Sequence, residues 1–279
     1  MRPILREIRA AFRLARVGLH LGWGAATVAV VYPWLSPRWR RALKQRWSRQ
    51  LLEILDVKLG VRGATAHGAR LHGLLVCNHI SWLDVFVINA LTPAAFVAKQ
   101  EVKSWPLIGW LCAHTETIFL PRGSRRAARR TLEMMTAHLQ RGVPVAFFPE
   151  GTTTQGERVL PFHAALFQAA IEAAAPLYPL ALRYADRRGY PSLAPAYLGE
   201  TTLWQSLCTI ARADGIQAEL RILPAFAAHL GARAELAQKC REAIMLQLGQ
   251  RPMPPRAEDA REMLEDAAQS AELAANATR

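Results

Sequence analysis

Residues Leu74–Asp84 constrain this chain more than any other stretch. Leu74-Leu75-Val76-Cys77 is an uninterrupted apolar run that breaks into Asn78-His79. A run of that length reads as a short buried strand. Ser81 is a good helix cap, and Trp82-Leu83 with Val85-Phe86-Val87 continue as a buried helix. The unit is strand, turn, helix, with His79 on the turn and Asp84 in the first helical turn. In one continuous helix a five-residue spacing would set these side chains roughly 140° apart. A turn between them lets the carboxylate curl back to the imidazole. An Asp on one ring nitrogen fixes the tautomer and leaves the other nitrogen as a base. Such a pair lacks its own nucleophile, so a substrate hydroxyl would have to serve. Ser81-x-x-Asp84 also fits a helix-capping pattern in which Asp84 serves only the helix N-terminus. Spacing alone leaves both readings open.

Strand and helix patterns alternate through the middle of the chain, which makes an α/β layer fold the natural class. Strands are expected near 58–61, 96–99, 117–120, 143–148, 177–182 and 218–223. Helices are expected over 124–139, 162–174, 202–212 and 235–248, with a short one bracketed by Pro106 and Gly109. Arg122 stands at one strand end and is a candidate anion ligand. Glu150 closes another strand, and Gly151-Thr152 follows, a glycine where the backbone needs unusual freedom. In open α/β sheets that carboxyl edge is where ligands bind. An ordinary turn with threonine caps explains Glu150-Gly151-Thr152 equally well. Residues 251–279 are rich in Pro, Ala and charge, lack an apolar stripe, and read as a mobile or weakly helical tail.

Charge is lopsided. Residues 1–150 hold 22 Lys/Arg against 8 Asp/Glu, whereas 151–279 hold 13 against 14. A basic surface confined to one end favours an anionic partner there, lipid headgroups or nucleic acid. Arg2, Arg6, Arg9, Arg13 and Arg16 recur among Ile4, Leu5, Ile8, Phe12 and Leu14, a basic amphipathic helix. No Asp, Glu, Lys or Arg occurs from Val17 to Pro37. That length just spans a bilayer, but Gly18, Gly22, Gly24, His20 and Pro33 dilute it, and basic clusters flank both ends. The better reading is helices embedded in the cytoplasmic leaflet, with a spanning helix second. Residues 1–57 are thus expected to be membrane-binding helices, and 58–250 the α/β domain. Four scattered cysteines, Cys77, Cys112, Cys208 and Cys240, have no metal spacing and read as reduced thiols.

Four blocks in order then resemble the glycerolipid acyltransferase family: Asn78-His79-x-x-x-x-Asp84, Ile118-Phe119-Leu120-Pro121-Arg122-Gly123, Phe148-Pro149-Glu150-Gly151-Thr152, and the apolar strand around Pro179. The likeness covers roughly residues 70–185. It implies a mixed, largely parallel central sheet flanked by helices, docked to the membrane by an N-terminal helical motif. By the same resemblance His79 is the general base, Asp84 its orienting partner, and Arg122 the contact for the acceptor's headgroup. Glu150, Gly151 and Thr152 shape the acceptor site, and Lys99 is a strand-end lysine beside it. Two positions depart from the pattern. Thr153 stands where many lysophosphatidate enzymes have arginine, and Pro121 replaces a polar residue. The Glu-Gly-Thr-Thr-Thr run with Pro161-Phe162-His163 is similar to members that acylate lyso-ornithine lipid or a broader range of lysolipids.

The activity implied is transfer of a fatty acyl group to a lysolipid hydroxyl, 1-acyl-glycerol-3-phosphate first and lyso-ornithine lipid as the alternative. The donor substrate is an acyl thioester on acyl carrier protein or coenzyme A. No other cofactor, no metal and no nucleic acid is expected, and the place is the cytoplasmic face of a bacterial inner membrane. Cys77 raises a covalent-nucleophile variant. A non-catalytic basic membrane-binding protein would explain the charge but not the Asn-His…Asp and Glu-Gly-Thr blocks.

Overall fold

The computed structural model of the chain describes residues 3–63, 71–121, 125–228 and 231–250. Helix α1 spans Pro3–Ala26 and α2 spans Pro37–Ile54. Strand β1 (Val57–Gly63) and β2 (Leu74–Cys77) precede α3 (Leu83–Leu91). Then come β3 (Ala95–Lys99), α4 (Ile108–His114), β4 (Ile118–Leu120), α5 (Arg125–Gln140) and β5 (Val145–Phe147). A short α6 (Gln168–Glu172) leads to β6 (Pro176–Ala185), α7 (Leu203–Arg212), β7 (Ile216–Ile222), β8 (Phe226–Ala227) and α8 (Arg233–Gln247).

The strands form one sheet in the order β1-β7-β6-β2-β5-β3-β4, with β8 paired on β6. From β6 to β4 every pairing on this path is parallel. β7 and β8 run antiparallel to β6, and β1 is parallel to β7, so these three strands oppose the other five. The apolar run at Leu74–Cys77 is explained by its central place: all four residues are buried. Leu75 and Cys77 enter one core with Leu52, Leu83 and Val87 of α2 and α3. Leu74 and Val76 enter a second core with Met135, Phe167 and Cys240 from the α5, α6 and α8 side. Helices therefore cover both faces, which is why the central strands show no polar alternation.

Three local expectations need correcting. Pro106 and Gly109 do not bracket a helix; α4 begins at Ile108 and runs through Gly109 to His114. Gly109 lies in the helix because its start packs on the preceding turn: a Cβ there would meet the Lys103 carbonyl oxygen at 2.1 Å. The helix expected over the apolar segment 162–174 is shorter: residues 162–164 are irregular, a single tight 3-10 turn at Ala165–Phe167 runs straight into α6, and the helix ends at Glu172. Its apolar residues fill core space without needing helical periodicity. β8 was not expected; two residues are too short to show a period. The 251–279 tail lies outside the described residues.

The N-terminal segment continues past α1 through a π-helical stretch, Thr27–Val31, and a tight turn at Tyr32–Trp34. Ile4–Trp34 is long and apolar enough to cross a membrane. Yet α1 lies along the α/β body. Arg13 donates to Asp56 Oδ2 (2.6 Å) and to the Ala211 and Ala213 carbonyls, and Arg9 pairs with Asp214 at 2.7 Å. Glu7 pairs with Arg212 at 2.9 Å. Farther along, His20 stacks on Trp47 of α2 at 4.5 Å, and Gly24 leaves room for that indole. Ala10, Arg13 and Val17 are buried, whereas Ile4, Ile8, Phe12, Leu19 and Trp23 are exposed. The helix thus presents one face to the protein and an apolar stripe outward.

Candidate active site

At the carboxyl end of β2 the chain leaves the sheet, and Asn78 caps the departure. Its side-chain amide donates to the Leu182 carbonyl (2.9 Å) and accepts the Leu182 N–H (2.8 Å). The amide thus continues the ladder toward β6 after the β2 backbone has turned away. The backbone of the turn is also occupied. His79 N–H donates to Glu150 Oε1 (2.7 Å), its carbonyl accepts Thr154 N–H (2.9 Å), and the Ile80 carbonyl accepts Tyr197 N–H (3.0 Å).

This turn brings Asp84 back onto His79, with Nδ1 and Oδ2 2.8 Å apart. The same oxygen accepts the N–H groups of Ile80 (2.7 Å) and Ser81 (2.9 Å), and Oδ1 accepts the Tyr184 hydroxyl (2.8 Å). A carboxylate already accepting three donors can only accept from the ring, so Nδ1 carries the hydrogen and, in the neutral imidazole, Nε2 holds the lone pair. The two readings of Ser81-x-x-Asp84 prove to be one structure: Asp84 satisfies the N–H groups at the helix start and the imidazole together. Ser81 Oγ completes the start by accepting Leu83 N–H at 3.2 Å.

The Asp84 side chain is fully buried, while 19 % of the His79 side chain is exposed. Phe148, just after β5, lies parallel to the imidazole, centroids 3.9 Å apart and planes 5° off. One face of the ring is thereby covered and its Nδ1 edge is bonded, while part of the side chain stays exposed.

Glu150 and Gly151 follow on the neighbouring strand end. Glu150 is buried; besides His79 N–H it accepts Leu160 N–H on Oε2 at 2.9 Å. Burial pushes its carboxyl up to about 7, against the pull of those two donors. Arg241 of α8 steadies the receiving loop by donating to the Leu160 and Val159 carbonyls. Gly151 has φ +67°, and a Cβ there would sit 3.3 Å from the His163 ring. The Thr153 hydroxyl donates to the Tyr197 carbonyl.

Of the residues singled out from sequence, His79, Asp84, Glu150 and Gly151 are brought into one cluster. Thr152 follows with an exposed side chain, and Lys99 is exposed at the same carboxyl edge of the sheet, closing β3. Arg122 lies outside the described residues. Cys77 is sealed in the core, and burial raises its thiol well above the ordinary range. A buried, protonated thiol is a poor nucleophile, so the covalent variant loses its physical basis. A concavity of about 610 Å³, lined by Arg49, Leu52, Glu53 and Asp56 among others, lies between α2, α3 and β1 and shares no residue with the cluster.

Sequence reading missed Phe148 and Tyr184 as parts of this cluster. Phe148 was hidden as the last apolar residue of a strand. Tyr184 had one signal: a hydroxyl on the buried face of an apolar strand needs a partner.

A sequence model of the acyltransferase family matches residues 59–183. The 1-acyl-sn-glycerol-3-phosphate acyltransferase of Neisseria meningitidis is 44 % identical over 162 residues, which cover 56 % of this chain and 62 % of that one. The match to the Neisseria gonorrhoeae relative covers 61 % of that protein, so the chain aligns with about six tenths of the length of each. A lyso-ornithine lipid O-acyltransferase of Pseudomonas aeruginosa is 34 % identical over 251 residues, covering 86 % of this chain and 92 % of its own. The crystal structure of the 1-acyl-sn-glycerophosphate acyltransferase PlsC from Thermotoga maritima shares the fold, with TM-score 0.68 at 18 % identity, across 89 % of this chain and 97 % of that one. With the family model covering β2 to most of β6 and the His79–Glu150 cluster, and a 34 % identical relative aligned over nearly its whole length, this chain belongs to the glycerolipid acyltransferase family.

Proposed function

We propose that this protein transfers a fatty acyl group from a thioester to the free hydroxyl of a lysolipid at a membrane surface. The observation that carries the reading is the 2.8 Å bond between His79 Nδ1 and a fully buried Asp84, on a ring that remains partly exposed. His79 Nε2 takes the proton as the acceptor oxygen attacks the thioester carbonyl. The carbon–sulfur bond then breaks, and the imidazolium returns its proton to the departing thiolate. The imidazole is thereby regenerated, and only the two substrates are consumed. General-base assistance of this kind is worth on the order of 10²–10⁴ in rate. The donor is a thioester of acyl carrier protein or coenzyme A.

The membrane-facing surface is the stripe Ile4, Ile8, Phe12, Leu19 and Trp23, continued by Trp34 and Trp39, all exposed. Ion pairs to the α/β body hold α1 flat, which supports a helix lying in the leaflet rather than crossing it. Basic residues beside it attract anionic headgroups, as at the cytoplasmic face of a bacterial inner membrane.

The first acceptor proposed is 1-acyl-glycerol-3-phosphate. A second, lyso-ornithine lipid, is favoured by Thr153, whose hydroxyl is bonded to the Tyr197 carbonyl where an arginine would reach for phosphate. Purified protein offered both acceptors, each with both thioesters, decides among them by the lipid product formed. His79→Ala must abolish product in whichever pairing is active. An undiminished rate in that variant would rule out His79 as the base, and no product from any pairing would leave the non-catalytic membrane-binding protein.

A further inference from the structure

Tyr184 stands 100 residues from Asp84 in sequence, near the end of β6. Its neighbours on the same strand face, Leu180 and Leu182, are apolar core residues. Its backbone is held by pairing with β7 opposite Ala218, and its carbonyl accepts Ser192 N–H. The phenol therefore cannot drift. Its hydroxyl reaches Asp84 Oδ1 at 2.8 Å. The carboxylate is thus held from two directions. Oδ2 takes three donors from its own turn, and Oδ1 takes one from a different strand.

We propose that Tyr184 is a positioning residue for acyl transfer: its hydroxyl fixes the rotation of the Asp84 carboxylate and tempers the charge that carboxylate presents to His79. This rests on the reading of His79 as the base. A carboxylate gripped at Oδ2 alone can rock about its Cβ–Cγ bond, carrying the imidazole with it. The donor on Oδ1 removes that freedom. It also draws negative charge away from the Oδ2 side. Without it Asp84 would favour the protonated imidazole more strongly, and His79 would be free as a base only at higher pH.

The groups facing Asp84 are the His79 ring, the Cys77 thiol at the end of β2, the Glu150 carboxyl after β5 and the Tyr184 phenol from β6. Burial keeps the phenol well above its ordinary range, so it remains a donor throughout the working pH. Cys77 is likewise held protonated. Glu150 titrates at about 7, but it is common to every variant below.

The test is the pH profile of kcat and KM for the wild type, Tyr184→Phe, His79→Ala and a protein carrying 3-fluorotyrosine at position 184. Phe keeps the ring and removes the donor; the fluorinated phenol is a stronger donor of nearly the same size. Tyr184→Phe is expected to lower kcat about tenfold with KM held within about twofold, and to move the acid limb up by about half a pH unit. The fluorinated protein should move that limb down. Superimposable limbs in all folded Tyr184 variants, or shifts in one common direction, would overturn the proposal while an inactive His79→Ala leaves the base assignment standing. If His79→Ala stays active, the base assignment itself fails. Should Tyr184→Phe not fold, as judged by its melting transition, the fluorinated protein alone decides: an unmoved acid limb overturns the proposal.

Discussion

The carboxylate of Glu150 accepts the backbone N–H of His79 at 2.7 Å, across 71 residues of sequence. Its other oxygen accepts Leu160 N–H at 2.9 Å. Glu150 therefore ties the turn after β2 to the loop after β5. Both oxygens are engaged by the chain's own backbone, so its effect on an acceptor passes through the loops it holds.

Glu150→Gln replaces one acceptor by an amide N–H that faces a backbone N–H. One buried donor then loses its partner, at a cost of about 1–3 kcal/mol. The wild-type carboxyl is raised from 4.5 to about 7, so the native state holds its proton more tightly than the unfolded chain. That contribution is complete below about 4.5 and is lost as pH rises through 7, on the order of 3 kcal/mol in all. The stability gap between wild type and Glu150→Gln should narrow over that window. Chemical denaturation at a series of pH values measures it, and a constant gap would show that Glu150 is not raised.

Asp84→Asn keeps the shape but not the acceptor capacity. An amide cannot accept from His79, Ile80, Ser81 and Tyr184 at once, and it favours the wrong imidazole tautomer. The expected loss is on the order of 10⁴ in kcat, by comparison with the same substitution in a serine-protease triad. A melting point lowered by a few degrees should accompany it. Single-turnover rates check the first, and activity within an order of magnitude of wild type would remove Asp84 from the reaction.

Cys77→Ala should leave acyl transfer intact, with destabilisation of about 1 kcal/mol from the small cavity. In the native wild type, maleimide should label half-buried Cys112 and Cys208 before fully buried Cys77. An inactive but folded Cys77→Ala would revive covalent catalysis.

Trp23 and Trp34 are 70 % and 87 % exposed. Replacing both with Ser should lower partitioning onto anionic liposomes by on the order of 10²–10⁴-fold, because each indole inserted in the interface is worth about 1.5–3 kcal/mol. The melting point of the lipid-free protein should stay unchanged. Flotation compares the two, and equal recovery would move the membrane contact elsewhere.

The sequence by itself determined the strand–turn–helix at Leu74–Asp84, the layered α/β class and the family blocks. These rest on short-range signals: uninterrupted apolar runs, a cap residue, a glycine before a threonine run. It also marked α1 as amphipathic, through residues three, four and seven apart. Only the tertiary structure decided which way each strand runs, and so that β1, β7 and β8 oppose the other five. Only it brought Glu150 beneath the His79 peptide, Phe148 onto the imidazole, and Tyr184 to Asp84 from 100 residues away. Those contacts depend on which strands lie side by side and in what register. No local periodicity encodes that; it emerges when the two cores on either face of the sheet are filled together.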